Sequence, residues 1–370
     1  MSYGKTLIYS HSDVDGIMSA RIAQWTSLYK EADVAFTPYI YFGTKGLELV
    51  NNLAEYSSLV CLDIGSTEDT LKSLAELSDK LKVFLFDHHP AQPSTFLKYM
   101  NKNFRISWDP EHCTSSLLYS VFSKLGMFTD SYWPERWTII GIYGDVAKDK
   151  SKAREVLNSL SEKHPDLVSQ LSSDDKLWPY QPASMIARAI NMVRRIGYHY
   201  GARIVLNALK EIEAADDVFL PIRNLTLKEQ SKYPYVTLMR NYIKAYREAQ
   251  RDIQYRLLDL DQIGVVIVTS KADIGGAVVR RAMRKLNKPV FVVNDGILEN
   301  VYKLTGRSNS LDLNLVMSKV TELSKGLVTG GGHPQAVSGI APSEIGLSRL
   351  VKLLKTAVLE VTKDWQKNQS

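Results

Sequence analysis

Three short apolar runs near the start of the chain each stop at side chains that bind hard cations. LIYS runs into His11, LVCL into Asp63, and VFLF into Asp87, His88 and His89. Leu7–Ser10, Val60–Leu62 and Val83–Phe86 read as buried strands, and Ile17–Tyr29 and Leu71–Lys82 as the helices between them. Strands alternating with helices predict an α/β fold with a parallel sheet covered on both faces. In such sheets ligands gather at the carboxyl ends of the strands, where these residues fall.

A fourth cluster follows in IIGIYGDVAKD, where Asp145, with Asp149 behind it, stands at what reads as a helix end. The spacing of His11, Asp13 and Asp15 aims all three to one side if that segment is extended. Taken singly, each motif has an ordinary explanation, since Asp-Val-Asp-Gly is a common turn and Asp63 before Ile-Gly is a helix-cap pattern. Four in order are another matter, because so many carboxylates buried together need cations to neutralise them. Imidazole mixed with carboxylate suits manganese, magnesium or a similar divalent ion rather than a thiolate-bound zinc. A calcium loop at Asp13–Gly16 is excluded by the lack of a bidentate glutamate at the required later position.

Beyond Ser151 the pattern turns helical to Gln230, with SMIARAINMVRRIG the clearest amphipathic segment. A Tyr- and Arg-rich stretch, Asn241–Leu258, reads as a connecting helix, after which the alternation restarts. Gly264–Thr269, Pro289–Val293 and Val301–Gly306 are strand-like, with helical GGAVVRRAMRKL among them. A chain of 370 residues is long for one core. The expected organisation is a parallel-sheet domain over 1–240, a helical linker over 241–258 and a smaller α/β domain over 259–370. No run approaches the roughly 18 apolar residues of a membrane helix. Two cysteines, Cys61 and Cys113, leave no disulfide framework, so a cytoplasmic location is expected. The net charge of +6 and pI near 9.0 favour polyanionic partners, as does Arg280, Arg281, Arg284 and Lys285 on one predicted helix, although a solvated helix face gives the same run.

The ordered set of His-x-Asp-x-Asp-Gly, a strand-terminal Asp, Asp-His-His-Pro and Gly-x-x-Gly-Asp resembles the DHH phosphoesterases, named for the triplet at Asp87–His89. GGGHPQAVSG, from Gly330 to Gly339, resembles the signature of the DHH-associated C-terminal domain. The resemblance implies two divalent cations, manganese first and magnesium second. His11, Asp13 and Asp63 would hold one, and Asp15, Asp63, His88 and Asp145 the other, with Asp63 bridging. It implies a positioning role for Asp87 and a phosphate-contacting or acid role for His89. Arg307, Ser308, Gly330, Gly331, Gly332 and His333 would grip the substrate phosphate. Ser115 and Ser116 either touch phosphate at a helix start or cap that helix. The implied activity is an exonuclease acting on single-stranded DNA, RNA or short oligonucleotides. The alternatives are a phosphodiesterase or phosphatase for cyclic dinucleotides or 3′-phosphoadenosine 5′-phosphate, and a replication scaffold with protein partners.

Overall fold

The computed structural model describes residues 4–37, 44, 47, 50, 52–169, 177–196, 199–223, 226–230 and 232–367. The chain divides into two compact units, Met1–Arg194 with Tyr198–Met239, and Arg195–Gly197 with Arg240–Ser370.

The first unit opens with β1 (Thr6–Ser10), α1 (Val14–Gln24), β2 (Asp33–Phe36), β3 (Ser58–Leu62), α2 (Glu68–Leu77), β4 (Lys82–Asp87), α3 (Pro93–Tyr99) and β5 (Phe104–Trp108). Its strands pair in parallel in the order β2-β1-β3-β4-β5. Every strand therefore ends on the same edge. Ser10 lies beside Leu62, and Leu62 beside Phe86, so His11, Asp63 and Asp87 emerge together. The amides of His11 and Asp63 each donate 3.0 Å hydrogen bonds to the preceding rung, at Leu62 and Phe86. The order reverses between β1 and β3, and crevices at such switch points are where doubly wound folds take ligands.

Alternate strand residues feed two cores. Ile8, Val60 and Leu62 join the helical side, while Leu7, Tyr9, Leu59, Cys61, Val83 and Leu85 face the other. The helical side is built by α4 (Thr114–Lys124), α5 (Tyr132–Gly144), α6 (Ser151–Ser161), α7 (Pro182–Arg194), α8 (His199–Ala215) and short α9 (Leu227–Gln230). Nearly all of α5 is buried, including Trp137. Glu213 of α8 ties this layer together. Its carboxylate pairs with Arg21 and accepts from the indole nitrogens of Trp25, at 3.0 Å, and Trp137, at 2.8 Å.

In the second unit, after α10 (Pro234–Arg256), come β6 (Leu257–Leu260), β7 (Ile263–Val268), α11 (Gly275–Leu286), β8 (Val290–Leu298), β9 (Val301–Arg307), α12 (Leu313–Leu323), β10 (Thr329–His333), β11 (Ala336–Pro342) and α13 (Leu347–Lys367). The sheet order is β10-β11-β9-β8-β7-β6; β7 and β8 are parallel and the remaining pairs antiparallel. Helices α12 and α13 close one face over Ile263, Val265, Phe291, Val293 and Leu304. Among the described residues no helix is long and apolar enough to cross a membrane.

Several boundaries differ from the sequence reading. The first helix begins at Val14, not Ile17, because Asp13 caps it, and it ends at Gln24 rather than Tyr29. The second runs Glu68–Leu77, since Thr67 caps it early and Lys82 already belongs to a strand. The connecting helix ends at Arg256, with Leu257 and Leu258 paired against β7.

Replacing Glu213 takes the carboxylate from a partly buried guanidinium, which keeps Gln24, and from two indole donors, and removing a partner in this way costs at most about 3–5 kcal/mol. Glu213→Ala is expected to lower urea stability of the first unit by that order, followed by tryptophan fluorescence. A loss below about 1 kcal/mol would show that the tether is dispensable.

Candidate metal centre

The centre begins at the β1–α1 turn. Asp13 is the N-cap of α1 and its Oδ1 accepts from the Gly16 amide at 2.9 Å. Asp15 lies in the first helical turn. Only His11 continues the strand, so the three side chains converge through a strand-to-helix turn and not by strand alternation. The turn is tight enough to need glycine, since a Cβ on Gly16 would stand 2.2 Å from the His11 carbonyl oxygen.

Asp15 is clamped by the N-terminus of α4. Its carboxylate accepts from the amides of Thr114, at 2.7 Å, and Ser115, at 3.0 Å, and from the Ser115 hydroxyl. Amides at a helix start carry partial positive charge, which favours an anion there. Gly141 of α5 allows the approach, because a Cβ would lie 2.1 Å from the Ser115 hydroxyl. Even so, burial and the charges of Asp145 and Asp13 push the Asp15 carboxyl up to about 7.

Asp63 follows β3 in the left-handed backbone region, with φ of 62°, where few residues but Asn, Asp and Gly are comfortable. It is 1% exposed. Oδ1 accepts from the Thr114 hydroxyl at 2.9 Å, whereas Oδ2 is buried with no hydrogen bond, 3.6 Å from His11 Nδ1. Burial, then the charges of Asp13, Asp15, Asp87 and Asp145, drive its pKa far above the carboxylate range. Burial works against the ionisation of Asp13 too, but the His11 imidazole 3.1 Å away, Arg194 and the Gly16 amide hold it well below.

The triplet after β4 separates into distinct jobs. Asp87 is fully buried and accepts from the Ser66 hydroxyl and from His89 Nδ1 at 2.8 Å. Against its burial, these two partners keep it ionised, with a pKa of about 2. His89 is raised, since Asp87 outweighs the burial that would lower it. Burial takes His88 down to about 4 despite the pull of Asp145. Its Nδ1 stands 3.1 Å from the Thr114 hydroxyl and its Nε2 3.6 Å from Asp145 Oδ2. The two imidazoles stack at 4.5 Å.

Asp145 is the C-cap of α5 and ion-pairs with Lys150 at 3.0 Å. Val146 after it takes a φ of 57°, which is strained for a β-branched residue. Asp149 falls in the next turn, outside the ligand groups.

Among the described residues, three sets of side chains bring potential ligand atoms within 4.8 Å of one another: His11 with Asp13 and Asp63; Asp63 with Asp87, His88 and His89; and Asp15 with Cys113 and Asp145. The donors are chiefly carboxylate and imidazole, the combination that suits divalent cations, and Asp63 belongs to two of the sets. The lone Oδ2 of Asp63 is the kind of buried anionic atom that a cation satisfies. Thr114 and Ser66 were not singled out from sequence. Thr114 stood in the hydroxyl-rich run before α4, but nothing in the sequence marks Ser66. Of that run, Ser115 binds Asp15, while Ser116 completes a capping box with the Cys113 amide.

The second unit holds the remaining residues. Arg307 ends β9, half-buried, and its pKa is lowered by burial and by Arg280 and Arg195 nearby. Like charges gathered in this way suit an anion. The Ser308 hydroxyl accepts from the amides of Ser310, at 3.1 Å, and Leu311, at 2.9 Å, shaping the turn after Arg307. Gly330, Gly331 and Gly332 lie in edge strand β10, where Asn314 donates to the Gly332 carbonyl at 2.7 Å. The His333 side chain lies outside the described residues. On α11, Arg280, Arg281, Arg284 and Lys285 are all exposed.

Residues 262–360 match the model of the DHHA1 domain. No curated protein sequence matches the chain. The structure is similar to exonuclease RecJ bound to manganese, with a TM-score of 0.62 and 17% identity over 96% of this chain and 90% of that one. RecJ in complex with Mn2+ from Thermus thermophilus gives 0.64 and 16% over 97% of this chain and 52% of that one, so this chain spans about half the Thermus protein. CDC45 from Entamoeba histolytica gives 0.56 and 10%, over 96% and 95%. At these identities the likeness is one of fold.

If cations neutralise this cluster, manganese should raise the melting temperature of the wild-type protein. Asp63→Ala should abolish that rise while melting no lower than wild type without metal, because it relieves carboxylate repulsion. A manganese-dependent rise of unchanged size in the variant would exclude Asp63 as a ligand.

Proposed function

We propose that the chain, whose residues 262–360 match the DHHA1 domain and whose fold is that of RecJ, is a DHH-superfamily, divalent-metal-dependent phosphoesterase that acts as an exonuclease on single-stranded DNA, RNA or short oligonucleotides. The observation that carries this reading is the buried carboxylate–imidazole cluster at the switch point of the first sheet, centred on Asp63 with its unbonded Oδ2. His11, Asp13 and Asp63 would hold one cation, and Asp15, Asp63, His88 and Asp145 the second. Two such cations supply a water of lowered pKa and stabilise charge on phosphoryl oxygens. Manganese comes first, with magnesium the alternative; both occur in the Thermus RecJ structures that share the fold.

The chain's own groups do the rest. Asp87 accepts from His89 Nδ1 at 2.8 Å, which leaves Nε2 of His89 to meet the phosphate or to hand a proton to the leaving oxygen. The clamp on Asp15 and the stacking of His88 on His89 set their directions before substrate arrives. In the second unit Arg307, reinforced by Arg280 and Arg195, is the proposed grip on the backbone phosphate, a role that Ser308, Gly330, Gly331, Gly332 and His333 would share. The net charge of +6 supports a polyanionic substrate over a small neutral one.

The test is a manganese-supplemented hydrolysis panel of end-labelled DNA, RNA, dinucleotides and cyclic dinucleotides. Turnover of single-stranded oligomers supports the exonuclease. Turnover confined to dinucleotides or cyclic dinucleotides supports the small-nucleotide phosphodiesterase, and no turnover leaves a scaffold of this fold. Asp63→Ala should reduce hydrolysis by at least about three orders of magnitude. Arg307→Ala should keep metal stoichiometry and lose about ten- to a hundredfold in kcat/KM, as expected for a charge-assisted contact of about 1.5–3 kcal/mol. Loss of bound metal in Arg307→Ala would assign that arginine a structural part instead.

A further inference from the structure

Thr114, the first residue of α4, touches three of the proposed metal ligands at once. Its amide donates to Asp15 Oδ2 at 2.7 Å, its hydroxyl donates to Asp63 Oδ1 at 2.9 Å, and the same oxygen lies 3.1 Å from His88 Nδ1. We propose that Thr114 is a positioning residue that locks His88 in the Nδ1–H tautomer, so that Nε2 is the nitrogen offered to the cation. The proposal rests on the metal-centre reading above.

A threonine hydroxyl has one hydrogen and two lone pairs. Asp63 Oδ1 is an acceptor whether the carboxyl is ionised or carries a proton on Oδ2, so the hydrogen points to Asp63, and toward His88 the oxygen presents a lone pair. A neutral imidazole carries one N–H, and it must then sit on Nδ1 to meet that lone pair. The carboxylate oxygens farther off divide, Asp63 Oδ1 at 3.5 Å and Asp15 Oδ2 at 3.7 Å toward Nδ1 and Asp145 Oδ2 at 3.6 Å toward Nε2, so the hydroxyl at 3.1 Å decides. Nε2 is left bare, on the side of Asp145. The opposite arrangement would turn the hydroxyl toward a bare Nδ1 and strip Oδ1 of its donor. Asp63 Oδ2 has no hydrogen bond already, so the buried carboxylate would lose the donor on its other oxygen as well.

Nothing lets Thr114 relax out of this position. It is fully buried, its backbone is fixed by the helix and by Asp15, and β-branching restricts its χ1. One hydroxyl thus couples the two proposed metal sites, orienting the shared ligand Asp63 and selecting the nitrogen of His88. A ligating imidazole whose other N–H is held in this way keeps a fixed ring orientation, and removing such partners commonly weakens metal binding by about ten- to a hundredfold.

The experiment uses the full chain with 15N-labelled histidine, metal-free and at mildly alkaline pH. Long-range 1H–15N spectra report the tautomer, with the His88 signals identified by their absence from His88→Asn. Manganese affinity is titrated in parallel by the EPR signal of the free ion. Wild type and Thr114→Ser should show a protonated Nδ1 and bare Nε2 at His88 and similar manganese affinities. Thr114→Val, nearly isosteric and without the hydroxyl, should lose the pure tautomer and bind manganese about ten- to a hundredfold more weakly. A protonated Nε2 in wild type overturns the proposal, as does an unchanged tautomer in Thr114→Val, whether or not its affinity falls. Neither readout involves a substrate. A correct tautomer in a protein that cleaves no phosphodiester would defeat the exonuclease reading alone, and a wrong tautomer in an active enzyme would defeat only this one.

Discussion

The mutual repulsion of carboxylates at the carboxyl edge of the first sheet is the constraint around which the rest is arranged. Asp63 is almost fully buried with Asp13, Asp15, Asp87 and Asp145 all acting on it. No packed core tolerates that without compensation. The compensation within the chain is partial, and it is specific: the α4 amides and hydroxyls take Asp15, Ser66 and His89 take Asp87, and Lys150 takes Asp145. What stays uncompensated is one oxygen of the central residue. The remaining deficit of positive charge is the shape of a cation site.

Parallel pairing turns that constraint into geometry. Because the strand order reverses between β1 and β3, the helices that follow them leave on opposite sides and open a crevice at the edge. His11, Asp63 and Asp87 reach it from strand ends, Asp13 and Asp15 from the N-cap and first turn of α1, and Asp145 from the C-cap of α5. Backbone strain is concentrated at the same place. Asp63 and Val146 both have positive φ, and each sits at a point where the chain must turn sharply to keep a carboxylate on the crevice. The tether through Glu213 of α8 joins α1 to α5, the helices that carry Asp15 and Asp145.

The second unit gathers positive charge instead. Burial, and then the charges of Arg280 and Arg195, depress its Arg307, an arrangement that a bound anion would relieve. Its glycine-rich motif forms an edge strand of a mixed sheet, with one side of its backbone free of strand partners.

The parallel sheet and most of the charged cluster were legible in the sequence, because apolar runs that stop at Asp or His show both the strand and the end of it that carries chemistry. Asp145 was legible for a similar reason, at the end of an apolar helix. Boundaries were less so: the cap by Asp13 moved the first helix to Val14, and that one shift replaced strand alternation with a helical turn as the reason Asp15 joins the cluster. In sequence Ser115 and Ser116 offered either phosphate contact or a helix cap, and only the fold separated positions 113–116 into a buried thiol, a bridge between Asp63 and His88, a clamp on Asp15 and a helix cap. Local sequence determined where ligand-bearing side chains leave their strands, since period and chain direction are short-range properties. Which nitrogen of His88 faces Asp145, and which oxygen of Asp63 stays bare, was decided by tertiary structure alone, because both depend on a hydroxyl brought in from a helix about fifty residues further along the chain than Asp63.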